Sequence, residues 1–463
     1  MSAKAQLRLV LCWHMHQPCY LDPVRGEYLL PWAYLHAIKD YVDMAAHLES
    51  VAGTRAVVNF TPTLLEQIDD FATQTRALLQ QGTPMQDPLL QALGSAALPN
   101  APNERIALVR ACLRAQEERQ TKRFVPYERL TRIAHRCLDS TEGALCLGDQ
   151  YLADLLVWYH LVWLGETVRR SQGTAVRLME KNQGFTSEDR RELLQLICEL
   201  LSSVIGRYRR LAETGQIELS VTPYGHPIVP LLLNFETARE AIPEIALPAQ
   251  HPYPGGEGRA RWHIREALDC FRSHFGFAPR GCWPAEGGVC ARTIELLREF
   301  GFSWVASGGG VLHHSLALSG EPHGSRHQPY RLAKGGPACF FRDDGLSDLI
   351  GFSYAEWQAE AAVEDLIQHL LRIKAAEAGG RESVVCIIMD GENAWEHYPE
   401  NGYDFLSSLY SGLVCHPEIE LTTFSELLER GLPCIPLSRL VAGSWVYGTF
   451  STWIGEPAKN QAW

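Results

Sequence analysis

A chain of 463 residues with 46% hydrophobic and 21% charged side chains has the composition of a folded globular protein, not of a disordered or fibrous one. Its 42 Lys and Arg against 54 Asp and Glu give a net charge of −12, with no basic tract to neutralise a run of phosphates, which argues against nucleic acid as a partner. No stretch nears the roughly 18–20 apolar residues of a bilayer crossing, so no membrane partner is expected, and 13 cysteines scattered without CxxC spacing read as reduced core thiols of a cytoplasmic protein.

Along the chain, short apolar runs alternate with long helical segments, the pattern of an α/β barrel whose site lies at the C-terminal ends of its strands. The first run, LRLVLCWH (7–14), is broken by His14, His16 and Gln17, so it reads as a buried strand and not as a signal peptide. In a strand His14 and His16 share a face, and Gln17 with Pro18 turns the chain, leaving His16 and Gln17 at the strand end to hydrogen-bond a ligand. Two histidines on one face also begin a zinc site. No partner motif with ligand spacing accompanies them, so metal remains an alternative, as does a purely structural role.

RAVVNFTP (55–62) is the next strand, and a helical insertion follows over about 104–211. Its last helix is expected to open at Ser187, with Glu188 and Asp189 at the positive end. IELSVTP (217–223) is bracketed by Glu218 and His226, either of which can orient a neighbour or bind a hydroxyl. Residues 236–262 read as a Pro/Gly-rich loop near the strand ends, and His251, His313 and His314 read as loop residues. Further strands are expected at RGCWPAE (280–286), FSWVAS (302–307), around Leu349–Phe352 and at SVVCIIMD (383–390). Residues 1–402 are thus assigned to the barrel and 403–463 to a C-terminal helical region; the sequence stops at NQAW without a C-cap signal, which leaves truncation open.

Two strand-end carboxylates carry the chemistry. Glu286 follows an apolar strand and precedes Gly287 and Gly288, and Asp390 ends the most hydrophobic strand and precedes Gly391. Either acid alone reads more simply as a salt-bridge partner or a helix cap. Trp283 and Trp395 lie within a few residues of the two acids, however, and aromatic faces suit the C–H faces of sugars, although core packing is the commoner use of Trp. A buried acid that keeps its proton and a second that ionises would form an acid/nucleophile pair.

Read in order, WHMHQP (13–18), GQIELSVTPYGHP (215–227), GCWPAEGG (281–288), MDGENAWE (389–396) and a late stretch ending in TWIG (452–455) resemble the five ordered regions of glycoside hydrolase family 57. The resemblance implies a distorted (β/α)7 barrel with a C-terminal helical part and a retaining hydrolase or transglycosylase acting on α-1,4-glucans or malto-oligosaccharides without a cofactor. It places the nucleophile on Glu286 and the general acid/base on Asp390. His16, Glu218 and Trp283 fall in the substrate subsite; His14, Gln17, His226, Glu392, Trp395 and Trp453 join them as binding candidates. Retention further implies carboxyl groups about 5–5.5 Å apart. A metal-dependent enzyme of mannosidase or deacetylase type and a non-catalytic glucan-binding protein are the competing readings. Oligomeric state is not legible.

Overall fold

A computed structural model describes residues 7–138, 147–249, 252–320, 324–332, 335–376 and 382–463. Seven parallel strands build the barrel: β1 (Leu7–Met15), β2 (Ala56–Phe60), β3 (Ile217–Val221), β4 (Gly281–Cys282), β5 (Trp304–Ser307), β6 (Ala338–Phe341) and β7 (Val384–Asp390). They lie in the order β7-β1-β2-β3-β4-β5-β6. Among the described residues no ladder joins β6 to β7, but the Asp343 amide donates to the Cys386 carbonyl at 2.8 Å and draws the edges together.

Alternation sorts the side chains. Val10, Cys12, Val57, Trp304, Ala306, Phe340, Cys386 and Ile388 fill the barrel interior, while Leu9, Leu11, Trp13 and Met15 face the surrounding helices. Gly281 is required where it stands, because a Cβ there would lie 1.7 Å from the Trp304 indole. The bottom is plugged by the helix Phe424–Glu429, whose Phe424 ring packs 4.3 Å from Trp304 and 4.5 Å from Phe340. The interior is therefore closed below by this helix, and a cavity opens at its top.

Six of the expected strand positions hold; the seventh does not. Leu349–Ser353 is a π-helical turn continuing the helix Asp344–Asp348, and the missing strand is Ala338–Phe341. A short apolar run does not by itself distinguish strand from helix, and here Asp343 decides by capping the helix through Leu346 N at 2.9 Å. The long helix Ser187–Glu213 is capped by Thr186, whose hydroxyl and the Asp189 carboxylate form the reciprocal box one residue earlier than expected. Within the expected 236–262 loop the helix Gly256–Phe275 begins, and His313 and His314 lie on the helix Gly309–Leu318; His251 is outside the described residues.

The helices between β2 and β3 pack beside the barrel mouth. Asp43 fastens them by accepting from the amide of Glu166 at 2.6 Å, and the buried Lys39 ammonium, paired with Asp40 at 2.8 Å, lies 5.2 Å over the Trp163 ring. After residue 402 the chain alternates: helices Tyr403–Cys415 and Phe424–Glu429 are interleaved with strands Ile419–Leu421, paired to β1, and Ile435–Leu437, paired to Tyr330–Leu332 beside β6. No helix among the described residues is long and apolar enough to cross a membrane.

Candidate active site

The strand ends determine which polar groups meet. β4 is only two residues long, and after Trp283 and Pro284 the chain makes one 3-10 turn in which Glu286 adopts φ 56°, ψ 24°. A left-handed non-glycine residue costs on the order of 1 kcal/mol and persists only where its surroundings hold it. Trp445 supplies that hold: its amide donates to the Glu286 carbonyl at 2.9 Å and its indole Nε1 to Glu286 Oε2, also at 2.9 Å. Backbone and carboxylate are thus fixed by one residue 159 positions away.

Asp390 ends β7 beside His14 of β1. Its Oδ2 accepts from Asn393 Nδ2 at 2.8 Å. The following Gly391 is needed for close chain approach, not to leave room for a ligand: a Cβ there would lie 2.1 Å from Met15 Sδ, and its amide donates to the His14 carbonyl at 2.8 Å. Burial raises the pKa of both acids. For Glu286 the Trp445 N–H opposes that shift and the charge on Asp390 adds to it; for Asp390 the Asn393 amide and the Arg342 charge oppose it. An ionised Asp390 therefore makes ionisation of Glu286 costlier.

Both acids line a cavity of about 740 Å3 with His14, His16, Gln17, Glu392 and Trp445. Asn59 orients His14, its Oδ1 lying 2.7 Å from Nδ1; Asn59 is itself held by Ser220 at 3.0 Å and Thr222 at 2.8 Å. An N–H at Nδ1 leaves the His14 Nε2 lone pair free, and that nitrogen, like Nε2 of His226, has no hydrogen-bond partner among the described residues. Burial lowers His14 to about 4 and His16 to about 3, and it pushes His226 well below the usual imidazole value, so the three rings are neutral near pH 7. His226 stands at φ 54° with Nδ1 3.9 Å from Glu286 Oε1. Glu392, 2% exposed, receives Gln17 Nε2 at 3.3 Å on one oxygen and, among the described residues, nothing on the other. Burial and the charges of Asp390 and Asp40 raise its pKa, against hydrogen bonds from the His16 backbone and Gln17 that lower it.

The ring nitrogens of His14, His16 and His226 come within 4.8 Å of one another, the one such group among the described residues. Sequence spacing alone did not reveal His226 as their companion. Their planes are inclined by only 14–22°, with the His16 and His226 centroids 3.8 Å apart. A metal lies in the plane of each imidazole it binds, so three stacked rings in this arrangement do not converge on one ion.

Four expected binding residues stand elsewhere. Glu218 lies on β3 below the cavity, where its carboxylate accepts from Trp304 Nε1 at 2.6 Å and Ser425 N at 2.9 Å, because it precedes Ser220 by one inward-facing step and points to the plugged end. Trp395 is 1% exposed, donates to the Gly391 carbonyl and packs edge-on against Trp13. Trp453 joins a satellite cluster with Phe235 and Trp463 and does not line the cavity. Trp283 is fully buried as a floor beneath Trp445, with ring centroids 5.4 Å apart. The tryptophans that do line the cavity are Trp445, Trp32 and Trp163, the last two with ring centroids 5.6 Å apart.

Because the Trp445 indole favours the ionised form of Glu286, Trp445→Phe is expected to shift the acidic limb of the kcat/KM profile to higher pH: without that donor the carboxyl holds its proton over a wider acid range. An unmoved limb in a pH series would contradict the assignment.

A model described as Glycosyl hydrolase family 57 matches residues 10–433. Among solved structures, the chain resembles a GH57-type branching enzyme from Pyrococcus horikoshii at 17% identity, covering 99% of this chain and 76% of that one, with TM-score 0.57. It also resembles a GH57 branching enzyme from Thermococcus kodakaraensis solved with glucose (15% identity, 99% and 77% coverage, TM-score 0.59). A third similar structure is the α-amylase AmyC from Thermotoga maritima (13% identity, 95% and 77% coverage, TM-score 0.54). At such identities the likeness is one of fold. No curated protein matches the chain.

Proposed function

Because this chain belongs to glycosyl hydrolase family 57, we propose that it cleaves or transfers α-1,4-linked glucan segments with retention, through a glycosyl-enzyme on Glu286. In the first step a Glu286 oxygen bonds to the anomeric carbon as the glycosidic C–O bond breaks, and the Asp390 proton passes to the departing oxygen. In the second, Asp390 takes a proton from water or from a sugar hydroxyl, whose oxygen displaces Glu286. The observation that carries this reading is that Glu286 and Asp390 line one cavity, with Trp445 donating to Glu286 and a neutral histidine stack beside it. Neutral imidazoles can hydrogen-bond sugar hydroxyls without adding charge near the developing oxocarbenium ion. Free thiols, most of them buried, fit a cytoplasmic location.

The test is incubation with maltoheptaose and amylose, followed by analysis of product length, branching and anomeric form. Shortened, redistributed or branched products of α-configuration, formed equally in EDTA, are expected. β-Products, or loss of activity on chelation, would favour an inverting or a metal-dependent enzyme instead.

A further inference from the structure

One wall of the catalytic cavity has a second space behind it. The segment between the helix Pro102–Ala111 and the π-helical turn Glu117–Thr121 borders both: Arg114 and Gln116 line the catalytic cavity, Leu113 and Glu117 line an outer pocket of about 480 Å3, and Ala115 lines the two together. The partition is therefore one chain thick. The Trp163 indole pins it from the catalytic side by donating to the Arg114 carbonyl at 3.1 Å.

The helix Val125–Cys137 supplies another wall of the outer pocket. Glu128, Thr131, Arg132, His135 and Arg136 all line it, and their spacing of i, i+3, i+4, i+7 and i+8 makes them one helix face. A basic last turn suits the helix dipole by itself, and arginines on a solvated face are common. Here, however, two guanidinium groups one turn apart border a bounded space, and neither has an ion-pair or hydrogen-bond partner among the described residues. Lys122 adds a third cation, which Glu118 and, at 3.3 Å, Glu117 already share. Paired arginines at this spacing suit a phosphate group, whose oxygens accept several charge-assisted N–H bonds. Glu128 stands two turns from Arg136, about 12 Å of helix rise, so the pocket is cationic at one end, while at the other a carboxylate can accept from hydroxyls. Its volume falls within the roughly 300–1,000 Å3 of small-molecule sites.

We propose that the outer pocket binds a phosphorylated monosaccharide, with its phosphate on Arg132 and Arg136, and that the bound ligand stiffens the shared wall and so tightens glucan binding in the catalytic cavity. Arg114 and Gln116 then lose freedom before the glucan arrives, which lowers the entropy cost of its binding. The coupling rests on the glucan reading of the catalytic cavity; the pocket does not.

Calorimetric titration with glucose 6-phosphate, inorganic phosphate and glucose tests the site. Glucose 6-phosphate is expected to bind at least about tenfold more tightly than either fragment, and the double variant Arg132→Ala, Arg136→Ala is expected to lose at least about tenfold of that affinity, the factor that one charge-assisted contact typically supplies. Both side chains are exposed, so the variant is expected to melt with the parent. No binding to the parent, or equal affinity in parent and variant, overturns the site; inorganic phosphate bound as tightly as glucose 6-phosphate overturns its sugar half. In the Glu286→Gln protein, saturating glucose 6-phosphate is expected to lower the maltoheptaose dissociation constant about fivefold, and maltoheptaose to do the same for glucose 6-phosphate by linkage. Unchanged constants overturn the coupling. Glucose 6-phosphate bound at the two arginines of a protein that neither holds nor cleaves maltoheptaose overturns instead the glucan reading on which the coupling rests.

Discussion

Replacing Glu286 by Gln is expected to lower turnover of malto-oligosaccharides by about 10,000-fold or more while changing their dissociation constants by no more than about threefold. The split follows from the geometry. Gln keeps an oxygen to accept the Trp445 indole N–H and fills the same volume, so the left-handed turn and the cavity wall persist. What disappears is the carboxylate proposed to bond the anomeric carbon; the stabilisation lost belongs to the transition state and not to the bound substrate. Steady-state kinetics and calorimetric titration of the variant measure the two quantities separately. Parent-like turnover would remove Glu286 from the mechanism.

Asp390→Asn is expected to behave differently. Oligosaccharide turnover should fall by about 100- to 10,000-fold, the range of general acid–base catalysis. Formation of the glycosyl-enzyme from α-glucosyl fluoride, whose leaving group needs little protonation, should fall by about tenfold or less. Added azide, which attacks without a general base, should then release the intermediate as an α-glucosyl azide. Asn can retain the contact with Asn393 while losing the titratable proton, so structural collapse is not the expected cause of a loss. Equal losses on fluoride and oligosaccharide in pre-steady-state measurements would show that Asp390 is not the proton donor.

Barrel strands were legible where the core is apolar and β-branched, as in β1, β2, β3 and β7, because burial on both faces leaves a continuous hydrophobic signal. It failed around Leu349, where a π-turn and a strand have the same composition. At the site, Glu286, Asp390, His14, His16 and Gln17 could be singled out because strand ends in a parallel barrel converge on one face. Glu218 misled for a related reason: periodicity reveals that a residue points inward but not whether it stands at the open or the plugged end. Tryptophan near an acid in sequence was a poor guide. Trp395 turned into the helical layer and Trp283 into the floor, whereas the residue that holds the Glu286 carboxylate, Trp445, comes from a distant loop whose partner only tertiary structure specifies. The glycines that flank Trp445 in GSWVYG (443–448) are the one sign of it that the sequence carries.

Mass spectrometry of the parent protein after exposure to 5-fluoro-α-glucosyl fluoride addresses the central claim most directly, because the ring fluorine slows both steps and a good leaving group lets the adduct accumulate. The account predicts one fluoroglucosyl increment, confined to the peptide that contains Glu286 and released by added maltose. A label on another carboxylate, or turnover of this compound by an inverting route with no adduct formed, would contradict it.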